Sequence, residues 1–200
     1  MTPTIYVVDD DPAVRDSLQF ALEAGGFTVQ TFNAATAVVT AALSSCGCVL
    51  TDYRMPGMNG LQLQDHLAAQ HIILPVIVMT SHAEVSMAVR AMKAGAVDFL
   101  EKPFNDEQLM DAITRALRRN REELAAAEQS AAASRQIALL TPREREVLEH
   151  LVTGKSSKEI AKILGTSPRT IDVHRAHVSQ KLHTDSLPSL VRLVQLAAPR

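Results

Sequence analysis

The sequence predicts an α/β domain, a doubly wound (βα)5 parallel sheet, followed by a helical linker and an all-α domain of four helices. Three observations predict this order. Over residues 1–120, short apolar runs alternate with amphipathic stretches, as in buried parallel strands covered by helices. Residues 121–139 are rich in alanine and charge, and residues 140–200 have only helical periodicity. A chain of 200 residues has room for two small domains.

Five segments of the first domain have the composition of strands. They are expected at about 5–8, 27–32, 48–50, 76–79 and 97–100. The first is continuously apolar, as in a strand buried on both faces, whereas the second alternates and suits an edge strand. The helices between and after them are expected at about 12–24, 35–44, 59–69, 84–94 and 106–118. Five such units predict a parallel sheet with helices on both faces.

The linker, residues 121–139, begins with a charge run and continues as an alanine-rich stretch. Ala125 to Ala133 contains no β-branched or aromatic residue. We therefore expect it to continue the preceding helix and to fray toward Ser134. A regular coiled-coil seam is not supported after Leu124.

The last domain carries clear signals for the starts of its helices. Two capping boxes and a Ser-Pro pair are present, and a fourth helix is expected to end at Leu196. The segment 156–182 has the pattern of a helix-turn-helix, with Gly165 in the tight turn. The expected N-terminal caps are Thr141, Ser156 and Ser167, and the fourth helix is expected to begin at Ser186 or Leu187.

Charge is distributed unevenly along the chain. The net charge is only −2, yet residues 1–120 carry 8 Lys+Arg against 13 Asp+Glu, and residues 141–200 carry 10 against 6. The acidic part suits a cation site and the basic part suits a polyanion. Aromatic residues make up 4% of the chain and tryptophan is absent, so stacking of bases on an aromatic platform is not expected.

Cys46 and Cys48 are separated by one glycine, which favours two reduced thiols over a zinc or redox site. No charged segment with a long apolar run begins the chain, and no apolar stretch reaches the roughly 18–20 residues needed to cross a bilayer. We therefore expect a cytoplasmic protein with no membrane partner.

Acidic side chains follow two strands that should be neighbours. Asp9 and Asp10 come after the first strand, and Asp52 comes after the third. In a doubly wound sheet of order 2-1-3-4-5, the carboxyl ends of these strands form one crevice. Packed carboxylates repel one another, and a hard divalent cation such as Mg²⁺ relieves that conflict. An acidic triplet is also common as a helix N-cap, the role expected of Asp11.

Two further groups should reach the same edge of the sheet. Thr80 ends the fourth strand and Lys102 follows the fifth. A hydroxyl and an ammonium beside a carboxylate and a metal are typical of a phosphoryl-transfer site, in which Asp52 would be the nucleophile. Each of these residues alone says little, and the hypothesis depends on their joint order along the strands.

Residues 1–120 resemble the receiver domain of two-component response regulators. The matching segments are Val8-Asp9-Asp10-Asp11, Asp52-Tyr53-Arg54-Met55-Pro56-Gly57, Thr80-Ser81 and Lys102-Pro103-Phe104. The resemblance implies that Asp52 accepts a phosphoryl group from a histidine kinase. It implies that Mg²⁺ is held by Asp10 with Asp9 nearby, by Asp52 and by the backbone carbonyl of Arg54.

The same resemblance implies a cis peptide between Lys102 and Pro103, and a switch formed by Thr80 and Phe99. The sequence is equally compatible with Phe99 as an ordinary core residue that takes no part in a switch. The phosphorylated form is expected to dimerise through the fourth helix, fifth strand and fifth helix.

The second helix of the helix-turn-helix should have one buried and one exposed face. Ile160, Ala161, Ile163 and Leu164 are expected to form the buried face of the first helix. On the second helix the exposed face mixes small apolar, amide and basic side chains, which suits contact with DNA bases and phosphates. A four-helix protein-interaction domain with a charged surface has a similar pattern. The expected phosphate-neutralising residues are Lys155, Lys158, Lys162, Arg169, Thr170, Arg175 and Lys181.

The segments 140–148 and 158–175 resemble the LuxR-type DNA-binding domain, in the FixJ branch of the NarL/FixJ regulators. The resemblance implies a recognition helix at about 167–182. Its members expected at the groove are Asp172, Val173, Ala176 and His177, with base preference at His177 open; His174 and Arg175 would brace the fold or contact phosphate. The histidines of this domain are interpreted as surface residues and not as metal ligands.

Together these features predict a phosphorylation-switched transcription regulator. Its expected partners are a sensor histidine kinase, double-stranded promoter DNA, RNA polymerase and a second copy of itself. We expect no enzyme activity beyond the receiver's own phosphorylation and dephosphorylation. An aspartyl-phosphate phosphohydrolase would need a second acid where Arg54 stands. A receiver that works without phosphate and an RNA-binding antiterminator are two competing hypotheses.

Overall fold

The computed structural model describes residues 2–81, 85–184 and 186–198. The chain divides into two compact units, residues 1–124 and 125–200, which are described separately. Residue 84, at which the fourth helix was predicted to begin, lies outside the described residues.

The first unit contains a five-stranded parallel sheet in the order β2-β1-β3-β4-β5, as predicted. β2 lies at one edge, and β1 and β3 are neighbours, so their carboxyl ends meet. The strands are β1 (Thr4–Val8), β2 (Thr28–Phe32), β3 (Gly47–Asp52), β4 (Val76–Thr80) and β5 (Asp98–Glu101).

Alternate residues of the central strands point to opposite faces of the sheet and form two separate cores. Ile5 and Val7 pack with residues of α1 and α5, whereas Tyr6 and Val8 pack with residues of α2, α3 and α4. The five helices that supply these contacts are α1 (Pro12–Ala24), α2 (Ala35–Thr40), α3 (Gly60–Ala69), α4 (Val85–Lys93) and α5 (Asp106–Ala138).

The helix α2 is shorter than the predicted 35–44. The backbone becomes extended at Ala41, and the Ser44 N–H donates a 2.6 Å hydrogen bond to the hydroxyl of Tyr6. Tyr6 is almost completely buried, so its hydroxyl needs a partner from the protein. A helix continued to residue 44 would not leave that N–H free for the bond.

The helix α5 is longer than predicted and continues to Ala138 without the expected fraying at Ser134. Within the first unit, Asn120 anchors this helix to the amino-terminal edge of the sheet. Its carboxamide accepts from the Gly47 N–H at 3.0 Å and donates to the carbonyls of Ser45 at 3.0 Å and Ile73 at 2.6 Å. The alanine-rich sequence that follows has high helix propensity, which favours continuation.

The second unit contains the last part of α5 and the four predicted helices. The predicted N-caps Thr141, Ser156 and Ser167 are confirmed, with capping boxes at Thr141 and Ser156, and α9 begins at Leu187 with Ser186 as its cap. Gly165 ends α7 with a left-handed φ of +64°, where a glycine avoids steric strain. Ile163 was wrongly predicted to be buried: it is 51% exposed, because Ile160, Ala161 and Leu164 already fill the core-facing side. The helices are α6 (Pro142–Leu151), α7 (Ser157–Leu164), α8 (Pro168–Leu182) and α9 (Leu187–Ala197).

Candidate phosphoryl-transfer and DNA-binding sites

The ammonium of Lys102 joins two carboxylates at the carboxyl edge of the sheet. Its Nζ donates to Asp9 Oδ2 and to Asp52 Oδ1, each at 2.6 Å. Asp9 and Asp52 are both buried. Burial lowers the pKa of Lys102, but the hydrogen bonds to Asp52 and Asp9 outweigh it, so the net pKa is raised. Lys102 is therefore a cation that holds the two acids together.

Backbone N–H groups satisfy the other oxygen of each acid. Asp9 Oδ1 accepts from the Asp11 N–H at 3.0 Å, and Asp52 Oδ2 accepts from the Arg54 N–H at 2.7 Å. Arg15, which sequence analysis missed, donates to the carbonyls of Asp9 at 2.8 Å and Asp10 at 3.0 Å. An arginine one helical turn after an acidic loop was the available signal. These bonds fix the loop that presents the acids.

A cavity of about 310 Å³ opens beside these groups. The structure brings together every residue of the proposed phosphoryl site except Phe99, which packs against the core on the α3 and α4 side. The Lys102–Pro103 peptide is cis, as the resemblance implied. The cavity is lined by Asp9, Asp10, Asp11, Val14, Asp52, Arg54, Thr80, Ser81 and Lys102.

The close contact between α3 and the end of β3 also positions Asp52. A Cβ added at Gly60 would lie 2.5 Å from the carbonyl oxygen of Asp52, so only glycine allows this approach. Asn59 begins α3 with a capping box that includes Gln62. The loop after Asp52 is therefore held at both ends.

The donor chemistry of this cavity fits a hard cation, because Asp9, Asp10 and Asp52 are among the residues that line it. In the described ranges, however, no three His, Cys, Asp or Glu side chains are grouped so that they could hold a metal ion. Lys102 instead balances Asp9 and Asp52. A metal here would have to rely on a backbone carbonyl in addition to carboxylates.

In the second unit, nine of the eleven side chains predicted to contact DNA bases or phosphates are exposed. Two of them are linked to α7: the Ser157 hydroxyl donates to Asp172 Oδ1 at 2.6 Å and accepts from Arg175 Nη1 at 2.8 Å. Ser157, the first residue of α7, was missed because only contact between the two helices reveals it. The exposed residues are Lys158, Lys162, Arg169, Thr170, Asp172, Val173, Arg175, Ala176 and His177.

The two that are not exposed are Lys155 and Lys181, and Lys181 is paired within the protein. Its Nζ donates to Glu144 Oε2 at 2.7 Å, and His177 Nδ1 lies 3.6 Å from Glu144 Oε1. The Lys181 hydrogen bond is the main cause that lowers the pKa of Glu144 to about 2. In the sequence, Glu144 stands out only as part of a capping box.

Comparison with known proteins identifies the family of each domain. Residues 5–114 match the family described as response regulator receiver domain, and residues 138–194 match the family of bacterial regulatory proteins, luxR family. A receiver joined to a LuxR-type DNA-binding domain defines a response regulator that regulates transcription.

The chain is 47% identical over 196 residues to the transcriptional regulatory protein FixJ of Bradyrhizobium diazoefficiens. The alignment covers 96% of this chain and 95% of that protein. It is 45% identical to FixJ of Rhizobium meliloti, over 95% of this chain and 94% of that protein. The chain therefore belongs to the FixJ-like response regulators of the NarL/FixJ family.

Solved structures of similar proteins cover both units. The response regulator StyR matches 98% of this chain and 99% of its own, with a TM-score of 0.81 and 41% identity. Full-length FixJ from B. japonicum matches 98% of each chain, with a TM-score of 0.61 and 46% identity. Among the helices of the described residues, none is both long enough and apolar enough to cross a membrane.

Proposed function

We propose that Asp52 accepts a phosphoryl group from a sensor histidine kinase and that this modification controls DNA binding by the second unit. The observation that carries the proposal is the bridge from Lys102 to Asp9 and Asp52 inside an open cavity. In the transfer step, an Asp52 oxygen forms a bond to phosphorus while the bond from phosphorus to the kinase imidazole nitrogen breaks. The imidazole leaves with its electron pair and is then protonated.

Each side chain of the cavity has a proposed part in that step. Lys102 is a cation before transfer and would balance the charge on the phosphoryl oxygens afterwards. The Arg54 N–H orients the Asp52 carboxylate, and the buried Thr80 would bond one phosphoryl oxygen. Phe99 would move with Thr80 as a switch. Slow hydrolysis of the acyl phosphate would reverse the signal, with no separate substrate turned over.

Mg²⁺ is the proposed cofactor. Asp10, with Asp9 nearby, Asp52 and the backbone carbonyl of Arg54 would hold it. When bound, it would neutralise negative charge on the oxygens around phosphorus. Lys102 would be the cation that the protein itself supplies to these oxygens.

The second unit would bind promoter DNA with its recognition helix, and phosphorylation would favour dimerisation through α4, β5 and α5 so that two half-sites are engaged. RNA polymerase is the proposed downstream partner and the cytoplasm the proposed location. The proposed functional limits are 1–120 for the receiver, 121–139 for the linker and 140–200 for the DNA-binding domain.

Intact-mass measurement after treatment with acetyl phosphate and Mg²⁺ tests the proposal. We expect one added phosphoryl group on the wild type and none on Asp52→Asn. Asp11→Asn is the matched control, because Asp11 lines the same cavity and caps α1, and asparagine caps a helix equally well. Equal labelling of Asp52→Asn and the control would refute Asp52 as the acceptor. Dimerisation is measured in parallel by analytical ultracentrifugation, and Asp52→Asn should remain unresponsive to acetyl phosphate.

A further inference from the structure

Glu144 is a buried carboxylate that lies between two helices of the second unit. It is the third residue of α6, and its side chain is only 4% exposed. Its Oε2 accepts from the Thr141 N–H at 2.8 Å, which completes the capping box of α6. A buried carboxylate at a helix N-terminus is favoured by the helix dipole, but it also needs a cation close by.

Lys181, in the last turn of α8, supplies that cation. Its Nζ donates to the same Glu144 Oε2 at 2.7 Å, although the two residues are 37 positions apart in the sequence. His177, also on α8, has its Nδ1 3.6 Å from Glu144 Oε1, which is too long for a hydrogen bond. One carboxylate therefore fixes α8 to the start of α6.

Two other cations predicted to contact DNA phosphate, Lys158 and Arg169, differ from Lys181 in their exposure and pairing. Lys158 and Arg169 are exposed and form no ion pair with any residue in the described ranges. An exposed cation can neutralise a DNA phosphate without losing a protein partner. Lys181 would have to leave Glu144 as an unpaired buried charge, while its attraction to phosphate would be screened by salt. The free energy therefore favours the ion pair between Lys181 and Glu144 over a contact from Lys181 to a DNA phosphate.

We propose that Lys181 contacts no DNA phosphate and that Glu144 is a positioning residue, which holds the recognition helix through Lys181. This inference rests on the proposed DNA binding by α8. It replaces the sequence-based expectation for Lys181, which came from its charge and its position on the helix.

The dependence of DNA affinity on salt tests the proposal, because each phosphate contact contributes a slope of about 0.9 in log K against log salt. The probe is a short duplex of mixed sequence, and the protein is the full chain without phosphorylation. We expect Lys181→Gln to leave the slope unchanged and the control Lys158→Gln to reduce it by about 0.9. An equal reduction in both variants would overturn the proposal.

Glu144→Gln provides an independent arm, since glutamine can also serve as the third residue of a capping box. This change frees Lys181, so the slope should steepen by about 0.9, and the double variant Glu144→Gln with Lys181→Gln should return to the wild-type slope. If Lys181→Gln fails to fold, the comparison of Glu144→Gln with the wild type still tests the proposal. A Glu144→Gln slope equal to that of the wild type would overturn the inference. Absence of any duplex binding by the wild type would instead remove the DNA-binding proposal and this inference with it.

Discussion

Replacement of Asn120 by alanine should destabilise the first unit by about 3 kcal/mol. Asn120 is 1% exposed, and its carboxamide makes three hydrogen bonds to the backbone. Loss of the bond to the buried Gly47 N–H should cost about 1–3 kcal/mol, and loss of each bond to the more exposed carbonyls of Ser45 and Ile73 about 0.5–1.5 kcal/mol. Alanine regains about 0.7 kcal/mol through its higher helix propensity.

The chain offers a probe specific to the unit that contains Asn120. It has no tryptophan, and its two tyrosines, Tyr6 and Tyr53, both lie in the first unit. Tyrosine fluorescence during urea unfolding therefore reports on this unit alone. With a slope of roughly 2 kcal/mol per molar urea, the midpoint of the variant should fall by about 1.5 M.

The exposed neighbour provides the control for this change. Arg121→Ala alters the same helix at a surface position and should change the free energy of unfolding by less than about 0.5 kcal/mol. If both variants shift the tyrosine transition by the same amount, the three hydrogen bonds of Asn120 contribute nothing measurable and the reasoning is refuted.

Three further changes have expected outcomes. Gly60→Ala should cost about 1–3 kcal/mol in the tyrosine transition and slow labelling of Asp52, because its Cβ would meet the Asp52 carbonyl oxygen at 2.5 Å; unchanged stability and labelling would contradict this. Gly165→Ala should cost only about 1 kcal/mol in circular dichroism melts, since its φ is +64° but no atom lies within 4 Å of the added Cβ. Glu144, whose pKa is lowered to about 2, stabilises the fold fully above its ordinary pKa of 4.5, and this contribution is lost as the pH falls toward 2. In acid titrations followed by circular dichroism, the wild type should therefore lose more stability over that interval than Glu144→Gln, and equal losses would contradict the assignment.

The sheet and most helix starts could be predicted because they depend on local signals. Apolar runs and capping residues such as Thr141 act within a few positions of the sequence, and the structure confirms both. The end of α2 could not be predicted, because it depends on a bond from Ser44 to Tyr6, 38 positions away. The length of α5 was underestimated for a different reason: the alanine-rich sequence was interpreted correctly as helical, but no local signal showed where it would stop.

The candidate phosphoryl site was predictable to the extent that strand order determines which residues converge. Asp9, Asp52, Thr80 and Lys102 end or follow strands, so the topology alone places them at one edge. Their hydrogen bonds could not be predicted, because these depend on distances of a few tenths of an ångström. Arg15 belongs to the same group: its position on α1 was clear, but its two bonds to the acidic loop were not.

Lys102 and Lys181 show why the charge of a lysine does not by itself indicate its role. Both donate at 2.6–2.7 Å to buried carboxylates, and in the sequence both look like cations for an anionic ligand. Lys102, however, lines a cavity of about 310 Å³, in which, under the proposed function, a phosphoryl group would take over part of its bonding as Asp52 is esterified. In that step Asp52 would lose its charge, while Asp9 would keep its hydrogen bond to Lys102, so no buried acid would be left unpaired. Glu144 undergoes no such reaction, and the departure of Lys181 would leave its charge buried. The fate of the partner carboxylate, and not the charge of the lysine, therefore separates a group that acts on a ligand from one that holds a helix in place.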